Sequence, residues 1–387
     1  MNFQDHKIFI YFQMAKTRSV MLLIILVMCT TLIFYSPFNS NAQIEVKVPS
    51  SAIKLQRWPL YVFGDSLYDT GMGFYVDKGP AADSYPYGNT YFKRPAGRFS
   101  DGRLIPDFIA QFANLPFPEP YRNPNLTDYS KSVNFADAAA GVLVDGRNNT
   151  LNLKLQTEFF VEMVGKMEKQ YGKEKTRKLV SNAVLLFNIG SNDYVDIWIE
   201  NTKPLNSSFV NSFVNKILGN FTVSITSMYN QGARKFAFQN YGPMGCLPLF
   251  LDKETGECSE DLSALAKLHN DRFAALAKTW ARRLPGLKYI IYDFYTSLTA
   301  HIVNGAKYGF KETQSACCGS GPFNSKFTCM EKANFTLCDD IPSHLFFDPA
   351  HPTEEGDRQF ALEFWNGPPN LVTPENLKSL FGKQRSV

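Results

Sequence analysis

The segment "YVFGDSLYDTG", residues 61–71, runs from a short apolar, β-type stretch directly into a polar turn. Residues 60–63 supply the strand, Gly64 and Asp65 the turn, and Ser66 a hydroxyl on its far side. Two readings of Ser66 are open from this segment alone. Gly and Asp are ordinary turn residues and Ser is a preferred helix cap. The same hydroxyl is a nucleophile if a base elsewhere in the chain can take its proton.

Outward from this segment, apolar strands alternate with helical patterns. Residues 104–115 place Leu104, Ile105, Phe108, Ile109 and Phe112 at a helical period, and residues 151–171 read as an amphipathic helix. Residues 182–190 (NAVLLFNIG) read as a fully buried strand, 207–230 as a helix, 234–240 as a strand, 262–283 as a helix and 287–294 as a strand. A final helix is expected to start at 352–354, where Pro352 suits a first turn and the acidic residues suit the positive end of the helix dipole. Continuous apolar strands between helices imply a largely parallel sheet covered on both faces. The expected fold is therefore α/β, a three-layer α/β/α domain with a mostly parallel central sheet. No repeat or Gly/Ser-rich linker divides residues 43–387, which are expected to form one domain. The Pro-rich segment 115–124 reads as a surface loop, and 308–342, with four cysteines, as an irregular excursion pinned by disulfides.

Ligands of such sheets bind at the carboxyl ends of the strands. Four polar clusters fall at strand ends or in comparable loops: residues 64–66, 134–141, 190–193 and 348–351. Serine needs a base, and the base works best when a third group fixes its tautomer. Among His269, His301, His344 and His351, the first two sit in helical patterns and read as surface or core residues. His351 differs, because Asp348 lies three positions before it and Pro349 and Pro352 stiffen the turn. An Asp-Pro turn before a helix has the same composition, so this spacing alone leaves both readings open. An oxyanion also needs preorganised donors. Asn192 offers a side-chain amide just after a buried strand, unless it only forms an Asx-turn, and residues 134–141 (NFADAAAG) offer approachable backbone N–H groups.

The ordered set of "GDS" at Ser66, "NFA" at 134–136, "GSND" at 190–193 and "DPAH" at 348–351 resembles the GDSL esterase/lipase family, also called SGNH hydrolases, in its secreted plant-type branch. The likeness extends to "GRFSDGRLIPDFIA" (97–110), "YGPMGCLP" (241–248) and "YGFKETQSACCGSGPF" (308–323), and so covers nearly the whole chain after the leader. The resemblance implies a flavodoxin-like α/β/α fold and a secreted serine esterase or lipase acting on lipid or other acyl esters, with no metal or organic cofactor. It implies Ser66 as nucleophile, His351 as general base and then acid, and Asp348 as the group orienting His351. It places the oxyanion hole at the backbone N–H of Ser66, the side chain of Asn192 and the backbone N–H of Ala139. The chain departs from the family pattern there: glycine is usual at that position, often in a Gly-Gly pair, whereas this sequence has Ala138, Ala139 and Ala140. If the position needs a positive φ, the Cβ is unfavourable by roughly 1–2 kcal/mol and narrows the site. The same motifs fit an extracellular acyltransferase, a carbohydrate O-acetylesterase or a non-catalytic, defence-associated binding protein.

Composition limits the alternatives. The chain has 387 residues, 44% of them hydrophobic, a net charge of +4 and no Lys/Arg block after the leader, which argues against a nucleic-acid partner. Lys16 and Arg18 precede an apolar run at 20–34, followed by small residues ending near Ala42; this reads as a signal peptide over residues 1–42, with Met14 an alternative start. A retained anchor normally needs about 20 apolar residues, so no stable membrane span is expected. Apart from Cys29 in the leader, the cysteines form an even set: Cys246, Cys258, Cys317, Cys318, Cys329 and Cys338. Their spacing suits disulfides of an exported protein better than zinc, and leaves the pairing open. Sequons at Asn125, Asn148, Asn206, Asn220 and Asn334 are expected to be exposed and to carry glycan.

Overall fold

The structure, a computed structural model, describes residues 57–76, 82–143, 150–200, 205–326, 328–329 and 335–382. The expected leader (1–42), the alternative start at Met14, Cys29, Asn148 and Asn334 lie outside the described residues. The strands are β1 (Leu60–Gly64), β2 (Glu119–Pro120), β3 (Ser132–Asn134), β4 (Val184–Asn188), β5 (Lys235–Gln239), β6 (Lys288–Tyr292), β7 (Cys318–Gly319), β8 (Thr336–Leu337) and β9 (Val372–Thr373). The helices are α1 (Ile105–Phe112), α2 (Leu153–Tyr171), α3 (Lys173–Asn182), α4 (Ser191–Glu200), α5 (Ser207–Asn230), α6 (Glu260–Arg283), α7 (Phe294–Val303), α8 (Glu354–Asn366) and α9 (Leu377–Phe381). No helix among the described residues is long and apolar enough to cross a membrane.

The main sheet runs β2-β3-β1-β4-β5-β6-β9, parallel throughout except for the edge strand β9. Successive side chains of its buried strands enter different cores, as the two-residue period requires. Tyr61, Phe63, Leu185, Phe187, Phe236 and Phe238 face a core completed by α2, α5 and α6, whereas Leu60, Val62, Val184, Leu186 and Ala237 face one completed by α1, α7, α8 and α9. These are the three layers expected from the continuous apolar strands. With the short edge strands β2 and β9 set aside, the remaining five follow the flavodoxin-like order 2-1-3-4-5. Strand order reverses between β1 and β4, with β3 laid on one side of β1 and β4 on the other, so the crevice lies at the carboxyl ends of β1 and β4.

Several local features differ from the sequence reading. The Pro-rich segment contributes β2, which pairs with β3 as an edge, the position a sheet allows to proline. Helices α3 and α4 follow expected elements so closely that hydrophobic period alone did not separate them. Pro352 lies ahead of α8, whose N-cap is Thr353, and α9 rather than α8 is the last helix. The 308–342 excursion contains the two-stranded β7-β8 sheet and carries the disulfides Cys317–Cys338 and Cys318–Cys329; the third is Cys246–Cys258.

The loop between Ser66 and α1 is anchored by a buried ion pair. Arg98 makes two parallel bonds to Asp107, Nε to Oδ2 at 2.7 Å and the second guanidinium nitrogen to Oδ1 at 2.8 Å, and also donates to the Thr70 carbonyl at 3.0 Å. The Asp107 carboxylate in turn accepts the Leu104 N–H that opens α1. Arg98→Met keeps much of the side-chain volume but strands a buried carboxylate. It is expected to lower unfolding free energy by about 3–5 kcal/mol in urea titrations, and a loss under about 1 kcal/mol would falsify the anchoring role.

Candidate active site

Strand β1 ends at Gly64 because nothing larger fits. A Cβ there would stand 2.7 Å from Tyr68 Cβ and 2.8 Å from the Asn188 carbonyl oxygen at the end of β4. The chain then turns: Asp65 N–H donates to that Asn188 oxygen at 3.1 Å, while Tyr68 and Asp69 N–H donate back to the Asp65 carbonyl. Ser66 therefore sits at the first position of a helical turn, half-buried, with its hydroxyl at the crevice.

Residues 285 positions apart meet at this point. Ser66 Oγ lies 2.7 Å from His351 Nε2, and His351 Nδ1 lies 2.7 Å and 2.9 Å from the two Asp348 oxygens. An ionised carboxylate only accepts, so Nδ1 carries the ring proton and Nε2 presents its lone pair to the Ser66 hydroxyl. Burial alone raises the Asp348 carboxyl, but His351, the Ala350 N–H and the Tyr87 hydroxyl together hold it below the ordinary value. The loop bearing this pair is fixed from behind. Cys317 and Cys318 N–H donate to the Phe346 and Phe347 carbonyls, and Phe347 N–H donates to the His351 carbonyl at 2.8 Å. The disulfide excursion thus braces the Asp348–His351 turn.

Asn192 opens α4, and one of its amide hydrogens goes to the Ala140 carbonyl at 3.0 Å, leaving the other for the crevice. Among the described residues, the N–H groups of Ser66 and Ala139 donate to no protein group. Ala139 has φ 60°, at the third position of a turn closed by Ala140 N–H to the Asp137 carbonyl at 3.1 Å. This is the positive φ at which alanine is disfavoured by about 1–2 kcal/mol. All three groups line a cavity of about 400 Å³ with Ser66 and His351. Its remaining wall is mainly apolar, with Val195, Ile199, Met244, Leu247, Phe250 and Leu298 among the side chains.

The other histidines stand apart from this cavity. His269 is buried against Tyr194, whose hydroxyl is 2.8 Å from Nδ1, and His301 is buried with Nδ1 2.9 Å from the Ser297 carbonyl; both are core residues. His344 lies near Cys317 and Cys338, but those sulfurs are joined in a disulfide and are not free thiolates. Among the sequons, Asn125 and Asn206 are exposed, while Asn220 is half-buried within α5 and donates to the Lys216 carbonyl.

The sequence profile of the GDSL-like lipase/acylhydrolase family matches residues 60–364. A GDSL lipase of Tanacetum cinerariifolium is 39% identical over 326 residues, covering 83% of this chain and 87% of that protein. GDSL esterase/lipase 4 of Arabidopsis thaliana is 38% identical over 384 residues, covering 95% of this chain and all of that protein (100%). Among solved structures, a phospholipase A1 from Streptomyces albidoflavus NA297 shares 13% identity over 79% of this chain and 97% of that one, with a TM-score of 0.37. The chain belongs to the GDSL-like lipase/acylhydrolase family, a class of carboxylic ester hydrolases, and to its plant-type branch.

Sequence reasoning missed the residues that support the site. Tyr87, Gln156, Asp69, Asp137 and Asp193 each have a partner well separated in the chain, and although Asp69, Asp137 and Asp193 stand within the clusters "GDSLYDTG", "NFADAAAG" and "GSND", Tyr87 and Gln156 stand in none. Asp193 accepts the N–H groups of Val142 and Leu143, Asp69 that of Ala138, and Asp137 that of Leu151. Burial pushes the carboxyls of Asp65, Asp137 and Asp193 up to about 6 and that of Asp69, which also faces Asp137, up to about 7. Because these folded-state values exceed the ordinary 3.8, the native state binds more protons than the unfolded chain between about pH 4 and 7. Their contribution to stability is complete at low pH and declines as pH rises through the folded values. His269, held by burial down to about 3, acts in the opposite direction but is one group against four. Tm by calorimetry is expected to be higher at pH 5 than at pH 7.5; the reverse order would show that these carboxyls are ionised in the native state.

Proposed function

We propose that this chain is a secreted serine esterase that hydrolyses carboxylic esters of apolar acyl groups through an acyl-enzyme. The observation that carries the reading is the unbroken hydrogen-bonded series from Asp348 through His351 to Ser66, opening into an apolar cavity. In the first half-reaction, Ser66 Oγ attacks the ester carbonyl carbon while His351 Nε2 takes its proton. The carbonyl oxygen becomes an oxyanion, met by the Ser66 and Ala139 N–H groups and the Asn192 amide. Collapse breaks the bond to the alkoxy oxygen, and His351 returns the proton to the departing alcohol. In the second half, water gives a proton to His351 and attacks acyl-Ser66; the bond to Ser66 Oγ breaks, His351 returns the proton to that oxygen, and the carboxylic acid leaves with the serine restored. Asp348 keeps the proton on Nδ1 and stabilises the imidazolium formed in both halves.

Export is supported by the leader-like residues 1–42 and by three disulfides, which persist in oxidising compartments. Residues 43–387 are read as the mature single domain, with glycan on the exposed sequons.

Ser66→Ala is expected to abolish turnover of p-nitrophenyl acetate and butyrate, and equal rates for variant and parent would sink the esterase reading. With the acyl group in the apolar cavity, each added methylene is expected to raise kcat/KM about fourfold until the cavity is full, from about 0.8 kcal/mol per buried methylene; a flat series across acyl lengths counts against that placement. Product analysis with an added acceptor alcohol separates hydrolysis, which yields free acid, from acyl transfer, which yields a new ester.

A further inference from the structure

The turn that carries Ser66 and the loop that carries Ala139 are joined through one buried side chain. Asp69 Oδ1 accepts the N–H groups of Gly71 at 2.8 Å and Met72 at 2.6 Å, both on the Ser66 side, and its Oδ2 accepts the Ala138 N–H at 3.1 Å. Asp69 is fully buried and does not line the cavity, so it touches no substrate. The residue after Ala138 is the one at φ 60°. Glycine populates that conformation freely, whereas alanine returns to negative φ unless its surroundings prevent it. Further along, Asp193 grips Val142 and Leu143 and so fixes the far end of the loop.

We propose that Asp69 is a positioning residue that holds the alanine-containing loop so that the Ala139 N–H stays aimed at the acyl oxygen beside Ser66. The proposal rests on the reading of Ser66 and Ala139 given above and adds the group that enforces their geometry. It makes a specific claim about coupling: the demand for Asp69 exists because residue 139 is not glycine. With glycine at 139 the loop reaches the same conformation without being forced, and the bond to Ala138 matters less. Asp69→Asn is nearly isosteric. It keeps one oxygen for Gly71 and Met72 but turns an NH2 group toward the Ala138 N–H, two donors facing each other.

The test is a double-mutant cycle of Asp69→Asn and Ala139→Gly, with kcat and KM measured on p-nitrophenyl butyrate. Asp69→Asn is expected to lower kcat about 30-fold when residue 139 is alanine, with KM changed by less than about twofold, but only about threefold when it is glycine, a coupling of about tenfold. Equal losses in the two backgrounds overturn the proposal, because general loosening of the fold does not depend on residue 139. If Asp69→Asn does not fold, Ala138→Pro deletes the same hydrogen bond from the other side, at a turn position that favours proline. It is expected to show the same loss confined to kcat and the same relief by glycine, and an unchanged kcat refutes the role of Asp69. Ser66→Ala in the same assay separates the two layers of the argument. If it is as active as the parent, the esterase reading itself fails; if it is inactive while the cycle shows no coupling, only the role of Asp69 fails.

Discussion

The site depends on how the backbone of a single residue, Gly64, is held on both sides at the carboxyl end of β1. Gln156, fully buried on α2, accepts the Gly64 N–H at 3.0 Å and donates to the Gly64 carbonyl at 2.8 Å, and its amide also reaches the Leu151 carbonyl. That carbonyl of Gly64 accepts the Asp137 N–H as well, at 3.1 Å. A strand end buried in a parallel sheet has lost its ladder partners and must find others, since an unpaired buried backbone group is destabilising. Here the side chain of a helix and the start of the next loop supply them. The absence of a Cβ at Gly64 lets Tyr68 and the Asn188 carbonyl approach, and so brings the end of β4, and with it Asn192, beside Ser66.

Beyond that point the crevice is built from irregular backbone, and buried carboxylates do what a sheet ladder does elsewhere. Asp65, Asp69, Asp137 and Asp193 each accept backbone N–H groups from loops that converge on the cavity. Burial makes all four acids resist ionisation, with Asp137 acting in addition on Asp69 and Asp193 on Asp65, which is why their carboxyls sit well above the ordinary range. The arrangement fixes loops tightly at the expense of stability near neutral pH. It also accounts for how a loop can keep alanine at φ 60°: the strained residue is flanked on both sides by segments tied down from elsewhere.

The Asp348–His351 turn is held differently. Its backbone is bonded to the 317–318 segment, which is itself crosslinked through Cys317–Cys338 and Cys318–Cys329, and Tyr87 adds a hydroxyl to the carboxylate. Packing of Tyr87, Phe99, Ala138 and Phe347 with these cysteines forms a third, smaller core beneath the site. The cysteine-rich excursion, which reads in sequence as an appendage, is therefore the support of the proposed general base.

The layered α/β/α fold was legible because buried parallel strands are continuous apolar runs and their covering helices keep a 3.6-residue period, both local properties of the chain. The four polar clusters were legible for a related reason, since each follows such a strand or sits in a Gly- or Pro-marked turn. Sequence left Ser66 divided between cap and nucleophile and Asp348 between turn residue and partner of His351, because a hydroxyl or carboxylate acquires its chemistry from neighbours that pattern does not reveal. Two-residue strands such as β2 and β9 were equally invisible, being too short to show a period. The disulfide pairing, the grip of Gln156 on Gly64, the Tyr87 bond to Asp348 and the clamps of Asp69 and Asp193 were decided only by tertiary structure. Each joins residues far apart in the chain, and their meeting is set by sheet order and loop path. Ala139 lies on the boundary: the sequence marked the missing glycine, and the fold supplied the φ of 60° that gives its absence a physical consequence.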